Sequence, residues 1–325
     1  MTEFELIERY FRPLGAPCQA EVILGQGDDC ALLQCPPGMQ LAVSVDTLVS
    51  GIHFLPEISP SHLGWRVLAV SISDLAAMGA KPLAFTLALT LPEINPGWLA
   101  HFSQGLAEAA RTFGVALIGG DTTRGALCIT LQVFGLVAAD KALRRQGAQP
   151  GDLVCVSGSL GDAGAALAWL TDPSPHDAAQ QLLMRYYRPQ PRLSLGQVLV
   201  GYAHAAIDIS DGLVADLHHI LRASRVGADI DCEALPLSAS LCQSVTSPQA
   251  LQLALTAGDD YELCFTIAQD QWPLLQARWR DAAVPLTVIG RIVDEGGCRI
   301  WLDGQPLTLP SEGYDHFRTP PTTKP

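Results

Sequence analysis

The residues best able to do chemistry in this 325-residue chain are aspartates set in short Gly- or Ser-containing junctions. They stand at Gly27-Asp28-Asp29, Ser44-Val45-Asp46, Ser73-Asp74, Gly119-Gly120-Asp121, Asp208-Ile209-Ser210-Asp211-Gly212 and Gly258-Asp259-Asp260. A single Asp-Gly pair signals only a turn. Six such junctions in one chain point to a shared site, because α/β proteins build sites in loops where strands end. Ligation by these groups would be almost all oxygen, which suits Mg²⁺, Ca²⁺ or Mn²⁺ rather than zinc.

Asp74 is the most informative of them. On a helix, Leu63, Val67, Val70, Asp74 and Met78 share one stripe. A carboxylate in an apolar stripe is desolvated, which costs several kcal/mol unless donors or a cation compensate. The donors could be a helix N-terminus or an arginine; a metal ion agrees better with the other junctions. Mg²⁺ dehydrates reluctantly and is usually held jointly by carboxylates and substrate phosphates. The pattern therefore suggests a site where metal ions, rather than lysines, bind a polyphosphate.

What the chain lacks supports this. Its three lysines are Lys81, Lys141 and Lys324, and none follows a glycine, so no Walker A lysine exists. Its only asparagine, Asn95, sits in an Asn-Pro-Gly turn, which rules out the protein-kinase catalytic loop. HExxH and GxSxG motifs are absent. Weaker signals remain open. Gly158, Gly161 and Gly164 either cradle a phosphate or make a tight strand–helix turn. Arg144-Arg145 either clamps a polyphosphate or is a solvated pair. His53 either meets a substrate or is a satisfied rim histidine.

The elements that must position these residues follow from periodicity. Strands are expected over 41–46, 84–91, 115–118, 126–137, 153–157, 205–209, 261–267 and 286–293. In 84–91, Phe85, Leu87, Leu89 and Leu91 share a face. Helices are expected over 61–78, with a Ser61 cap and a Gly79 stop, over 97–113, from about 162, and after Gly212 through Leu221. Asp303-Gly304 marks a hairpin. The polar, Gly- and Pro-containing stretch 138–151 separates a domain over 1–140 from one over 150–318, with a loose tail at 319–325.

Bulk properties set the class. Hydrophobic residues are 48% of the chain and charged residues 16%, enough apolar material for a large core. The net charge of −13 disfavours nucleic acid as a partner. The nine cysteines are odd in number and show no CxxC spacing, so neither a disulfide framework nor a zinc ribbon is indicated. The acidic N-terminus is not a signal peptide, and no apolar run reaches the ~18 residues of a membrane span, so a cytoplasmic protein is expected.

Together the segments resemble thiamine-monophosphate kinase. The junctions extend to Gly27-Asp28-Asp29-Cys30-Ala31-Leu32-Leu33, Asp46-Thr47-Leu48-Val49-Ser50-Gly51-Ile52-His53-Phe54 and Ser73-Asp74-Leu75-Ala76-Ala77-Met78-Gly79-Ala80. They continue with Gly119-Gly120-Asp121-Thr122-Thr123-Arg124-Gly125, Ile207-Asp208-Ile209-Ser210-Asp211-Gly212-Leu213, Gly258-Asp259-Asp260-Tyr261-Glu262-Leu263 and Gly313-Tyr314-Asp315-His316-Phe317. The resemblance implies the aminoimidazole-ribonucleotide-synthetase-like fold. That is a two-domain α/β (α+β) homodimer whose N-terminal sheets meet across the subunits, with a C-terminal α/β domain. It implies ATP-dependent phosphorylation of thiamine monophosphate to thiamine diphosphate, with several Mg²⁺ ions and ATP as co-substrate. The metal ligands would be Asp29, Ser44, Val45, Asp46, Asp74, Asp121, Asp208 and Asp211. Gly120, Asp121, Arg145 and Ser210 would sit at ATP; His53, Asp259 and Tyr314 at the thiamine phosphate. Asp74, Asp208 and Arg145 would act on the transferring group. The family often has a hydroxyl residue at Val45 and a glutamate at Asp259. Val45 could therefore ligate only through its carbonyl, and the shorter Asp259 reaches less far. The rival expectations are a superfamily relative with another acceptor and a non-catalytic binding or maturation protein.

Overall fold

The computed structural model describes residues 2–15, 19–309 and 313. Cys18, Tyr314 and the expected tail at 319–325 lie outside them. The chain begins with α1 (Glu3–Leu6), β1 (Val22–Leu24), β2 (Leu32–Leu33) and β3 (Met39–Val49). It continues with α2 (Pro60–Ala77), β4 (Lys81–Leu91), α3 (Pro96–Phe113), β5 (Ala116–Arg124) and β6 (Cys128–Ala138). Then come β7 (Leu153–Ser157), α4 (Asp162–Ala166), α5 (Asp177–Tyr187), α6 (Leu193–Leu199) and β8 (Ala203–Asp208). After these follow α7 (Leu213–Ser224), β9 (Gly227–Asp231), α8 (Ala239–Ser244), α9 (Ser247–Thr256) and β10 (Leu263–Ile267). The last elements are α10 (Trp272–Arg278), β11 (Leu286–Val293), β12 (Gly297–Leu302) and β13 (Gln305–Pro306).

The chain divides into two units. One comprises residues 1–144, 187–206 and 277–279, the other the remainder. In the first, a four-stranded sheet of order β3-β6-β4-β5 carries α2 and α3 on one face. Phe85, Leu87, Leu89 and Leu91 of β4 are all buried, as their alternation requires. The opposite face of β3 exposes Leu41, Val43 and Val45.

Helix α2 begins at Pro60, whose fixed φ suits a first helical position, and its N-cap is Ser59, whose side chain makes no capping bond. The expected Ser61 cap is thus replaced: Ser61 lies inside the helix and its hydroxyl pairs with that of Ser59. Gly79 ends the helix as expected, with φ 66° and bonds from Gly79 N to Ala76 O and Ala80 N to Leu75 O. Helices α2 and α3 meet through glycines. A Cβ on Gly64 would stand 2.2 Å from Phe102 O, and one on Gly105 would stand 1.9 Å from Ser61 O.

Residues 187–206 join this unit through side chains that local periodicity does not reveal. The Arg188 guanidinium lies 4.1 Å over the Trp65 ring, and Trp65 Nε1 donates to Pro189 O. The second unit is built on a seven-stranded mixed sheet of order β13-β12-β9-β11-β7-β10-β8. Its hairpin turn falls at Asp303 and Gly304, both at positive φ, between the paired Leu302 and Gln305.

Gly105→Ala should lower unfolding free energy by about 1–3 kcal/mol, because a methyl group cannot enter a backbone contact without moving α3 from α2. Urea denaturation followed by circular dichroism measures this, and an unchanged midpoint would contradict the helix-contact role.

Candidate active site

In the first unit the strand pleat sorts the residues of Ser44-Val45-Asp46. Val45 points to the outer face and is 59% exposed, whereas Ser44 and Asp46 are partly buried on the other face. Helix α2 brings Ser71 and Asp74, one turn apart, against that face. Ser44 Oγ donates to Asp74 Oδ2, and Ser71 hydrogen-bonds Asp46. Burial, and then the Asp74 charge, push the Asp46 carboxyl up to about 6. Two carboxylates and a hydroxyl gathered in this way leave electrostatic repulsion that a cation removes. The donors are hard oxygens, so the residues fit a divalent ion such as Mg²⁺. Among the described residues, no three His, Cys, Asp or Glu side chains are grouped closely enough to hold an ion by themselves. A Mg²⁺ ion here would therefore complete its shell with phosphate oxygens and water, its usual habit.

Asp46 does not end its strand: β3 runs on to Val49. Asp121 likewise lies within β5, exposed and paired in register with Ala88. The expected strands stop at 46 and 118, because polar residues and glycines interrupt the pattern there; ladder pairing with β6 and β4 carries each strand further. Gly120, at φ 153°, is needed at its position, since a Cβ would meet Leu87 O at 1.9 Å. Asp28 and Asp29 are exposed in the loop between β1 and β2, beside a groove of about 910 Å³ that Arg9 and Arg12 also line. His53 accepts the Val49 N–H at Nδ1 (2.9 Å), so a neutral ring carries its proton on Nε2.

In the second unit, Asp208 is the buried last residue of β8, and Asp211 follows in a loop. That loop is clasped by residues 256–261. Asp259 N donates to Ser210 O and Tyr261 N to Ile209 O, both at 2.9 Å. A Cβ on Gly258 would stand 2.1 Å from Ser210 O. The Tyr261 hydroxyl donates to Asp259 Oδ1 at 2.9 Å. Arg145 is exposed; its carbonyl accepts from Ser224 Oγ. Burial lowers the pKa of His219, and Arg145 lowers it further while Asp211 opposes them, so both neighbours lie within electrostatic reach of one imidazole.

Sequence reasoning missed Asp216. Its Oδ2 accepts the backbone N–H groups of Ser210, Asp211 and Gly212 at 3.0, 3.0 and 3.1 Å. These amides form an anion-binding nest whose occupant is the chain's own carboxylate. Burial raises the Asp216 pKa to about 7, although the three N–H bonds pull the other way. The spacing Asp211-Gly212…Asp216 before an apolar helix was the only available signal. The glycines after β7 are explained by packing rather than phosphate binding. Cβ atoms on Gly158, Gly161 and Gly164 would meet Glu262, Ala254 and Ala257 at 2.2, 2.7 and 2.3 Å.

Two sheet-bearing units, each presenting aspartates from strands and adjoining loops, define the AIR synthase related class. The N-terminal domain of AIR synthase related proteins matches residues 27–137 and the C-terminal domain matches residues 149–303. The thiamine-monophosphate kinase of Escherichia coli K12 is 49% identical over 323 residues, covering 98% of this chain and 99% of that protein. The crystal structure of thiamine-monophosphate kinase from Stenotrophomonas maltophilia K279a is 44% identical, with a TM-score of 0.86 over 94% of this chain and 98% of that one. The structure of AaThiL complexed with AMPPCP and TMP is 31% identical, with a TM-score of 0.79 over 97% of each chain. The chain belongs to the thiamine-monophosphate kinase family of AIR synthase related proteins.

Asp216→Ala should leave the Ser210–Gly212 amides without their acceptor and cost about 2 kcal/mol, whereas Asp216→Asn keeps an acceptor and should melt near wild type. Differential scanning calorimetry separates the two, and equal melting of Ala and Asn variants would remove the nest role.

Proposed function

We propose that the chain transfers the γ-phosphoryl group of ATP to thiamine monophosphate, giving ADP and thiamine diphosphate. The observation that carries this reading is 49% identity over nearly the full length to a thiamine-monophosphate kinase. The fold shared with a relative complexed with AMPPCP and TMP supports it.

Ser44, Asp46 and Asp74, with Asp29, Asp121, Asp208, Asp211 and the Val45 carbonyl, would hold Mg²⁺. When bound, the metal supplies charge screening and stabilises the transferring phosphoryl group. The chain's own residues do the rest. Gly120, Asp121, Arg145 and Ser210 belong at ATP, and the Arg145 guanidinium adds positive charge beside the triphosphate. His53 is a donor through Nε2, which suits a phosphate oxygen. Asp259 complements the cationic thiazolium of the acceptor, and the Tyr314 ring would add cation–π attraction. No side chain need remove a proton: a phosphate monoester with its second pKa near ~6 is already largely ionised at neutral pH.

The exposed apolar row Leu41, Val43 and Val45 on an edge strand fits burial against a second copy, which would make the enzyme a homodimer. No helix among the described residues is long and apolar enough to cross a membrane, and no disulfide joins the described cysteines. Both facts fit a cytoplasmic enzyme.

Asp74→Asn should abolish turnover by at least ~100-fold while the protein stays folded. ADP release, assayed with thiamine monophosphate and with other acceptors, with and without Mg²⁺, tests both the reaction and the residue. Near-normal activity of the variant would remove its metal role. Val43→Asp should convert the dimer to monomers in sedimentation velocity; a variant sedimenting as wild type would exclude this face as the interface.

A further inference from the structure

Asp259 stands in a segment with unusual backbone geometry. Asp259 (φ 71°) and Tyr261 (φ 50°) both occupy the left-handed region. Residues with side chains adopt it only where their surroundings impose it. Two hydrogen bonds to Ser210 and Ile209 carbonyls hold this segment from one side. The other side is held by Asp260, between them, and Glu262, which follows; they are 3% and 0% exposed.

Their partners form a buried charged network. Asp260 Oδ2 accepts the Gly161 N–H at 2.8 Å. Glu262 accepts Ser157 Oγ at 2.6 Å on one oxygen and Arg185 Nη2 at 2.7 Å on the other. Arg185 also reaches Asp162 at 3.7 Å, and Asp162 accepts the hydroxyls of Ser159 and Ser238 at 2.7 and 2.6 Å. Gly158 leaves the room that the Glu262 carboxylate fills. None of these groups is used in the chemistry above, and Gly161, Ser157 and Arg185 bear directly on Asp260 and Glu262. Asp260 Oδ1 has no hydrogen-bond partner among the described residues, a cost that the chain tolerates at this position.

We propose that Arg185 and Asp260 are positioning residues for the acceptor substrate: through Glu262 and Gly161 they hold residues 258–262 so that Asp259 and Tyr261 keep the left-handed conformation that sets where they stand. The inference rests on the assignment of Asp259 to the thiamine phosphate. A buried ion pair holds geometry better than it adds stability, which is the function required here. Broken from one side, the segment can relax to ordinary φ values, and Asp259 leaves its place while the nucleotide residues keep theirs.

The test is steady-state kinetics and thermal melting of Arg185→Lys, Asp260→Ala and Asp260→Asn in the full-length enzyme. Arg185→Lys and Asp260→Ala should raise KM for thiamine monophosphate about tenfold and leave KM for ATP within about twofold. Asp260→Asn, which keeps an acceptor for Gly161 N–H, should restore the wild-type KM. In an Asp259→Ala background, Arg185→Lys should add nothing further. Equal changes in both KM values, no change in either, additivity with Asp259→Ala, or loss of fold in both Arg185→Lys and Asp260→Ala would overturn the inference. A wild-type enzyme that released no ADP on adding thiamine monophosphate would overturn the kinase reading itself, and this inference with it.

Discussion

Asp46 and Asp74 are held close enough between a strand and a helix for their charges to repel, with Ser44 and Ser71 as their hydrogen-bond partners. Burial first, and then the Asp74 charge, push the Asp46 carboxyl up to about 6. Such a pair is relieved by a proton on Asp46 or by an incoming cation. The rest of the first unit serves to keep it in place. Helix α2 is fixed against α3 by glycine contacts, and β3 is fixed by its full-length ladder with β6.

The second unit handles charge differently. There two buried carboxylates are satisfied by groups of the chain itself. Asp216 takes three backbone amides, and Glu262 takes Arg185 and Ser157. Such satisfied acids shape the loops that carry Asp211 and Asp259. An acidic chain with net charge −13 is therefore not uniformly acidic in function. Some carboxylates are structural acceptors, and others carry repulsion that an incoming cation would relieve.

This division explains how a chain without a Walker lysine can handle a nucleotide. Arg185 is committed to a structural ion pair with Glu262. Metal ions would then supply positive charge at the phosphates, beside arginines such as Arg145, which is exposed. The phosphate acceptor brings its own ionised nucleophile, so the site has no use for a general base.

The residue types and their order alone determined the two-unit α/β organisation and several elements, because these depend on local pattern. The Phe85–Leu91 alternation, the strand Leu286–Val293, the Gly79 stop and the Asp303-Gly304 turn are all decided within a few residues. Contacts between distant residues were decided only by tertiary structure. Strands β3 and β5 extend past Asp46 and Asp121 because neighbouring strands supply the ladder, which no local window contains. Residues 187–206 return to the first unit through Arg188 and Trp65, far apart in sequence. Arg185 and Glu262 meet across 77 positions, and which of many acids would receive the arginine could not be read from spacing. Periodicity reports which face of an element is buried, not what lies against it; partner choice depends on packing, and packing is a property of the folded chain.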